Sequence, residues 1–191
     1  MIHVLFAALL VAAPSSGKNP KVKISTTLGD MVVELDRKAA PVSVDNFLKY
    51  VAEKHYDGTV FHRVIKKFMI QGGGFDKDLR PVGKKAHPPI KNEAGNGLKN
   101  TTGTVAMART FVVDSATDQF FINVNDNAFL DHRGETPQGF GYAVFGKLVS
   151  GLEVAKKIEN VATTSKPNSE GQAMGDVPAD AVVIKSIRVV K

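Results

Sequence analysis

The densest run of chemically capable side chains lies between Tyr56 and Phe75, where Phe61, His62, Arg63, Phe68, Met69 and Gln71 fall close together. Read as extended chain, alternation puts Arg63, Met69 and Gln71 on one face and Val64, Phe68 and Ile70 mostly on the other. A sheet that buries the second set presents a guanidinium, a thioether and an amide outward, an unusual mixture for a solvated face. An ordinary surface arginine is the alternative. The chemistry on offer is hydrogen-bond donation from a group that stays charged at any physiological pH. Nucleophilic attack has little support, because the chain has no cysteine and no Gly-x-Ser-x-Gly. A second cluster, Asp118 to Asn123, places Gln119, Phe121 and Asn123 on one face and Phe120 and Ile122 on the other. Phe121 then either walls a shallow apolar pocket beside Gln119 or lies buried under a loop or helix.

Other signals are weaker. Gly72-Gly73-Gly74 lacks the spacing of a phosphate-binding loop and reads as a turn. The five histidines show no paired metal spacing, and His62, between Phe61 and Arg63, reads as a structural histidine. Asn100-Thr101-Thr102 matches a glycosylation acceptor, which matters only in a eukaryotic secretory pathway. The pairs Lys66-Lys67, Lys84-Lys85 and Lys156-Lys157 are dispersed, as on a solvated basic surface.

The elements that must position these residues are mostly strands. Val22–Leu28 and Met31–Leu35 flank Gly29-Asp30, a two-residue hairpin signal. Further strands are expected at 60–65, 68–71, 103–108, 119–124, 143–148 and 182–190. A helix over 43–53 places Val44, Phe47, Leu48 and Val51 on one face, with Ser43 as N-cap. A second helix, 152–158, aligns Leu152, Ala155 and Ile158. Segments 77–102 and 163–181 read as long loops. About eight strands and two helices predict a mainly β domain, an antiparallel barrel with helical plugs.

The 191 residues fit a single domain able to bury a core. With 43% hydrophobic and 23% charged residues, neither a disordered chain nor a membrane bundle fits. The net charge of +6 comes with no nucleic-acid-binding motif, so no nucleic-acid partner is expected. Residues 1–16 carry no Lys, Arg, Asp or Glu, and Val4–Ala13 is an uninterrupted small or apolar run, too short to span a bilayer. Small residues follow it, so 1–16 read as an export signal and 17–191 as the folded domain, although the segment before the run lacks the usual Lys or Arg.

Taken together, Phe61-His-Arg-Val-Ile65, Phe68-Met-Ile-Gln-Gly-Gly73, Gly103 to Arg109, Asp118 to Asn123, Phe129-Leu-Asp131 and Tyr142 to Lys147 resemble the ordered signature of the cyclophilins. The resemblance runs from about Val22 to Val190. It is strongest to the bacterial periplasmic members, in Ala40 to Val44, Pro89 to Ala94 and Asp126 to His132. It implies an eight-stranded antiparallel barrel closed by two helices, and peptidyl-prolyl cis-trans isomerase activity without a cofactor or metal.

Carried over by position, the resemblance implies that Arg63 is the catalytic arginine and that Gln71 holds the substrate backbone. Phe68, Met69, Phe121 and Leu130 would line the proline pocket. Ala108, Arg109 and Gln119 would border the peptide groove, with His62 beside it, and Phe129 and Tyr142 would complete the binding surface. Three positions depart from the best-known eukaryotic pattern. Arg109 replaces an asparagine at a position expected to act through its backbone; Phe129 replaces a tryptophan, which should weaken cyclosporin binding; Tyr142 replaces a histidine and keeps an aromatic wall. The expected partners are proline-containing peptides and exported proteins during folding, met in the periplasm by a monomer. A barrel that binds proline segments as a chaperone, without turnover, is the rival reading.

Overall fold

Strict alternation of buried and exposed side chains builds the first strands. In the computed structural model, which describes residues 19–82 and 86–190, Lys21–Thr26 (β1) buries Val22, Ile24 and Thr26, and Gly29–Leu35 (β2) buries Met31, Val33 and Leu35. The expected export segment lies outside the described residues. The hairpin turn is Thr27-Leu28 rather than Gly29-Asp30, and Thr26 pairs with Gly29. Its cause is the Thr26 hydroxyl, which accepts from the Leu28 N–H at 3.0 Å and donates to the Gly29 carbonyl at 2.7 Å.

Thr59–Ile65 (β3), Met69–Asp76 (β4), Thr104–Met107 (β5), Phe120–Asn123 (β6), Val144–Ser150 (β7) and, after a separate hairpin, Ile184–Val190 (β10) complete an antiparallel sheet in the order β10-β1-β2-β7-β5-β6-β4-β3. The sheet curls so that its edge strands meet at a Val60–Val183 bridge, with Gly58 N–H donating to Ile184 O at 2.9 Å and Phe61 N–H to Val182 O at 3.0 Å. This is the expected mainly β barrel with two helices. The separate hairpin, Thr163–Pro167 (β8) with Ala173–Pro178 (β9), occupies a stretch expected to be loop.

Pro41–Ala52 (α1) begins two residues earlier than expected, because Pro41 takes the first helical position. Ser43 is not its N-cap. The Glu93 carboxylate, 50 residues on from Ser43 in the long 77–102 segment, accepts from Val42 N–H at 3.0 Å, Ser43 N–H at 2.7 Å and the Ser43 hydroxyl at 2.7 Å. It satisfies donors that every helix start leaves open. The apolar face of α1 drives Phe47 into the barrel, 5.2 Å from the Tyr56 and Phe145 rings and 5.4 Å from Phe120. Leu152–Glu159 (α2) buries Ala155 and Ile158 against the other end of the core, while Leu152 stays exposed.

The three glycines 72–74 form strand, not turn. They let β4 carry extra residues opposite β3 between the Thr59–Asp76 and Phe61–Gly72 pairs. Gly73 has φ +94°, and a Cβ there would stand 2.9 Å from the Tyr56 ring; at Gly74 it would meet the Gln119 side chain at 2.5 Å. Gly73→Ala is therefore expected to cost about 2–4 kcal/mol, from left-handed backbone strain plus overpacking of a core tyrosine. Urea unfolding would read this directly, and a loss below about 1 kcal/mol would contradict it.

Candidate active site

A bulge in β3 creates the site. Phe61 pairs with Gly72 and Arg63 with Gln71, so His62 is one residue more than β4 supplies. The extra residue lets Phe61 and Val64 both enter the barrel core while Arg63 turns outward. From Arg63 a single cross-strand row runs over the outer face through Gln71, Phe121, Ala106 and Val144, with Met69 in the adjoining row. Met69, Ala106, Phe121, Leu130 and Val144 form an apolar cluster distinct from the barrel core.

Loops supply the remaining walls. Leu130 ends a 3-10 turn, Ala128–Leu130, and its carbonyl accepts the Tyr142 N–H at 2.9 Å. The Tyr142 ring stands edge-on to Phe121 at 5.7 Å. Phe68 joins this cluster rather than the core face expected of it, because it sits in the Lys66–Phe68 turn, where alternation has lapsed and Lys67 has φ +59°. The Phe68 carbonyl accepts from Asn127 Nδ2 at 2.9 Å and from Val124 N–H at 3.1 Å.

The result is a cavity of about 110 Å³ lined by Arg63, Phe68, Met69, Gln71, Ala108, Arg109, Phe121, Leu130 and Tyr142. Larger hollows lie elsewhere: about 340 Å³ beside Glu34, Asp36, Lys99 and Lys147, about 280 Å³ beside Leu28, Val161 and Val182, and about 270 Å³ beside Lys77 and Lys166. None of these joins a guanidinium and an amide to aromatic walls, and on chemistry the cavity of about 110 Å³ is the candidate site. Gln119 stands at its edge: Gln71 Nε2 donates to Gln119 Oε1 at 2.9 Å. Phe129 is outside the cavity, 57% exposed, with its ring 5.4 Å from Phe68. Arg109 does more than its backbone. Its guanidinium lies 4.8 Å over the Tyr142 ring and donates to Gly141 O at 2.9 Å, Thr110 O at 2.9 Å and Pro137 O at 2.8 Å, which ties its own loop to the one carrying Pro137, Gly141 and Tyr142.

Behind the cavity a buried amide network holds these loops. Asn123 Nδ2 donates to Asn100 Oδ1 at 3.1 Å and Thr104 Oγ1 at 2.9 Å, and its Oδ1 accepts from Asn127 at 2.7 Å. Asn100 Nδ2 reaches Asp131 at 3.2 Å and the Tyr142 carbonyl at 3.3 Å. Sequence reasoning on faces placed Asn123 on this side but did not anticipate its partners, which come from two separate loops. It also missed Asp176 on β9, whose Oδ2 lies 3.6 Å from Arg63 Nε.

His62 does not line the cavity. It is 3% exposed, its ring is 4.7 Å from Phe75, and Nδ1 has no partner. Burial pushes its imidazole down to about 4, against a smaller opposing pull from the Asp118 carboxylate. Asp118 is itself buried and pairs with His55 at 2.9 Å; burial would raise its carboxyl, but the hydrogen bonds from His55 and Thr117 outweigh this and hold it below its usual value. Among the described residues no group of three His, Asp or Glu side chains could hold a metal ion.

A family model described as cyclophilin type peptidyl-prolyl cis-trans isomerase/CLD matches residues 21–189. The chain is 48% identical over 191 residues to peptidyl-prolyl cis-trans isomerase A of Dickeya dadantii, covering 100% of this chain and 95% of that protein. It is 50% identical over 168 residues to peptidyl-prolyl cis-trans isomerase B of Escherichia coli, covering 88% and 98%. A crystal structure of a Cryptosporidium parvum cyclophilin type peptidyl-prolyl cis-trans isomerase aligns with TM-score 0.72 at 27% identity, over 91% of this chain and 98% of that one. A second structure of that protein, in the presence of the dipeptide Ala-Pro, aligns with TM-score 0.71 at 28% identity, over 90% and 99%.

His62 generates a pH prediction. Its folded pKa of about 4 lies below the 6.5 of a histidine in an unfolded chain. Between those values the unfolded chain binds a proton that the folded chain refuses, so stability falls as pH drops through this window. The loss reaches about 3 kcal/mol near pH 4. His62→Gln should flatten this part of a denaturation-versus-pH curve, and an unchanged slope would show that another group carries it.

Proposed function

The chain belongs to the cyclophilin-type peptidyl-prolyl cis-trans isomerases, and from that premise we propose that it turns over X-Pro bonds in the Arg63–Gln71–Phe121 cavity, acting on exported proteins as they fold. The observation that carries the assignment of the site is one charged donor and one amide at the rim of a pocket otherwise walled by Phe68, Met69, Phe121 and Leu130. The barrier to rotation about an X-Pro bond comes from amide resonance, and uncatalysed exchange takes tens to hundreds of seconds. No bond breaks, so no nucleophile is needed. In the twisted transition state the prolyl nitrogen becomes pyramidal and its lone pair accepts a hydrogen bond.

Arg63 donates there. One charged hydrogen bond contributes about 1.5–3 kcal/mol, whereas a rate gain of about 10⁵ requires about 7 kcal/mol. The apolar walls grip the proline ring and favour the less charge-separated twisted amide. Gln71, fixed by its bond to Gln119, holds the substrate backbone on one side while the other side rotates. Phe129 has no indole N–H to donate, and cyclosporin should bind weakly. Export to the periplasm rests on the uncharged, apolar run in residues 1–16.

The test is cis/trans exchange of an Ala-Pro-Phe peptide by NMR line shape. Arg63→Ala should slow catalysed exchange about 10- to 100-fold while the peptide still binds. Binding without accelerated exchange by the wild type would replace this reading with that of a passive proline-segment binder. The wild-type rate should also be nearly level between about pH 6 and pH 8, since Arg63 stays charged and His62 stays neutral across that range. A rise centred near pH 6.5 would transfer the chemistry to a histidine.

A further inference from the structure

We propose that Asp176, on the β8–β9 hairpin, is a positioning residue for Arg63, setting the guanidinium toward the prolyl nitrogen; this rests on Arg63 acting as the donor. Asp176 Oδ2 lies 3.6 Å from Arg63 Nε, a charge pair rather than a hydrogen bond. The pair leaves Arg63 among the residues lining the cavity, so the carboxylate holds the group at the site and does not draw it away. Taking the Nε edge leaves the two terminal amino groups for substrate.

The backbone on both sides is bent to make the pair. Arg63 follows the extra residue in β3. Asp176 lies in a matching irregularity of β9: between the Thr164–Val177 and Lys166–Met174 pairs, Ser165 faces both Gly175 and Asp176. Asp176 has φ +58°, a conformation that aspartate tolerates and most side chains do not. Bulges of this kind re-aim a side chain beside a site. The hairpin is also anchored against β3. Val177 is 3% exposed in a cluster with Val60 of β3 and Leu79, and the hairpin is braced internally by the Lys166 ammonium, which donates to Pro178 O at 3.1 Å and Ala179 O at 2.8 Å. An anchored carboxylate restricts a side chain that otherwise samples many rotamers, so more of the enzyme is ready to react. A positioning effect of this kind appears in kcat and leaves peptide affinity nearly unchanged.

Both side chains are almost half exposed, so the effect is modest and sensitive to salt. Two variants keep the left-handed backbone: Asp176→Gly removes the side chain, and Asp176→Asn removes only its charge. With the neutral Ala-Pro-Phe peptide at saturation, Asp176→Gly should lower catalysed exchange about 2- to 5-fold, and Asp176→Asn should fall between it and the wild type. Peptide affinity and thermal midpoint should stay near wild-type values. Raising salt from about 0.05 M to about 1 M should slow the wild type by a similar factor and leave Asp176→Asn unaffected. In an Arg63→Ala background, Asp176→Gly should have no further effect. Wild-type or faster exchange by both single variants, with Arg63→Ala still slow, would overturn the role of Asp176 and leave that of Arg63 standing. Full activity in Arg63→Ala would instead remove the parent reading, and this proposal with it.

Discussion

One extra residue in β3 decides what each face of that strand carries. With strict alternation, Val64 facing inward would turn Phe61 outward. The bulge at His62 sends Phe61 and Val64 into the barrel together and leaves Arg63 in register with Gln71. Phe61 then meets Phe120 edge-on at 6.2 Å. The accommodation is an imidazole buried beside Phe75, kept neutral because water cannot reach it. The facing strand yields as well: Gly73 and Gly74 make room for Tyr56 and Gln119, and Gln119 in turn fixes Gln71. The register that builds the barrel and the row that builds the site are therefore one constraint.

Rigid catalysis needs walls that do not wander, and two of the walls here come from irregular chain. Leu130 and Tyr142 have no long ladder to hold them. Their backbones are tied instead to each other and to the Asn100–Asn123–Asn127 amides, nearly all of which are buried and paired. A buried amide network whose Nδ2 donors are all paired specifies one arrangement, since any shift strands a buried donor. The 77–102 segment follows the same logic. Glu93 caps α1, and Asn92 binds the Val113 and Gly141 carbonyls, so this stretch joins the core helix to the rim of the cavity.

The eight barrel strands and both helices are legible in the sequence because burial leaves either a period of two or 3.6, as in β1, β2 and α1, or a short apolar run, as in β5 and β6, which are buried on both faces. β8 is not legible, since none of its residues is fully buried and no alternation marks it; the hairpin rests on β9 and its seat against β3. The Arg63, Met69, Gln71 and Phe121 face can be read from alternation within strands. Phe68 cannot, because it lies in a turn, and Leu130 and Tyr142 could be placed only through resemblance to a family, since loop packing decides their position. The aromatic contact of Arg109 and the charge pair of Asp176 join segments far apart in sequence, and no local pattern announces either.

The exposure of Arg63 has a bearing on how it can act. Its side chain is 45% exposed in the free protein, where water competes for every donor it carries. On the proposed reading, a peptide laid across the cavity from Gln71 toward Arg109 would cover that side chain and remove part of the competing water. Charge–dipole terms strengthen as the local dielectric falls. The guanidinium is more weakly hydrated than an ammonium, so covering it costs less than covering a lysine would. The ground-state amide nitrogen offers it no free lone pair, and the twisted amide does. On the proposed mechanism Arg63, at the rim of a pocket that the peptide itself would seal, would thus act chiefly on the transition state, whereas an arginine buried in advance would have required permanent partners and lost its freedom to donate.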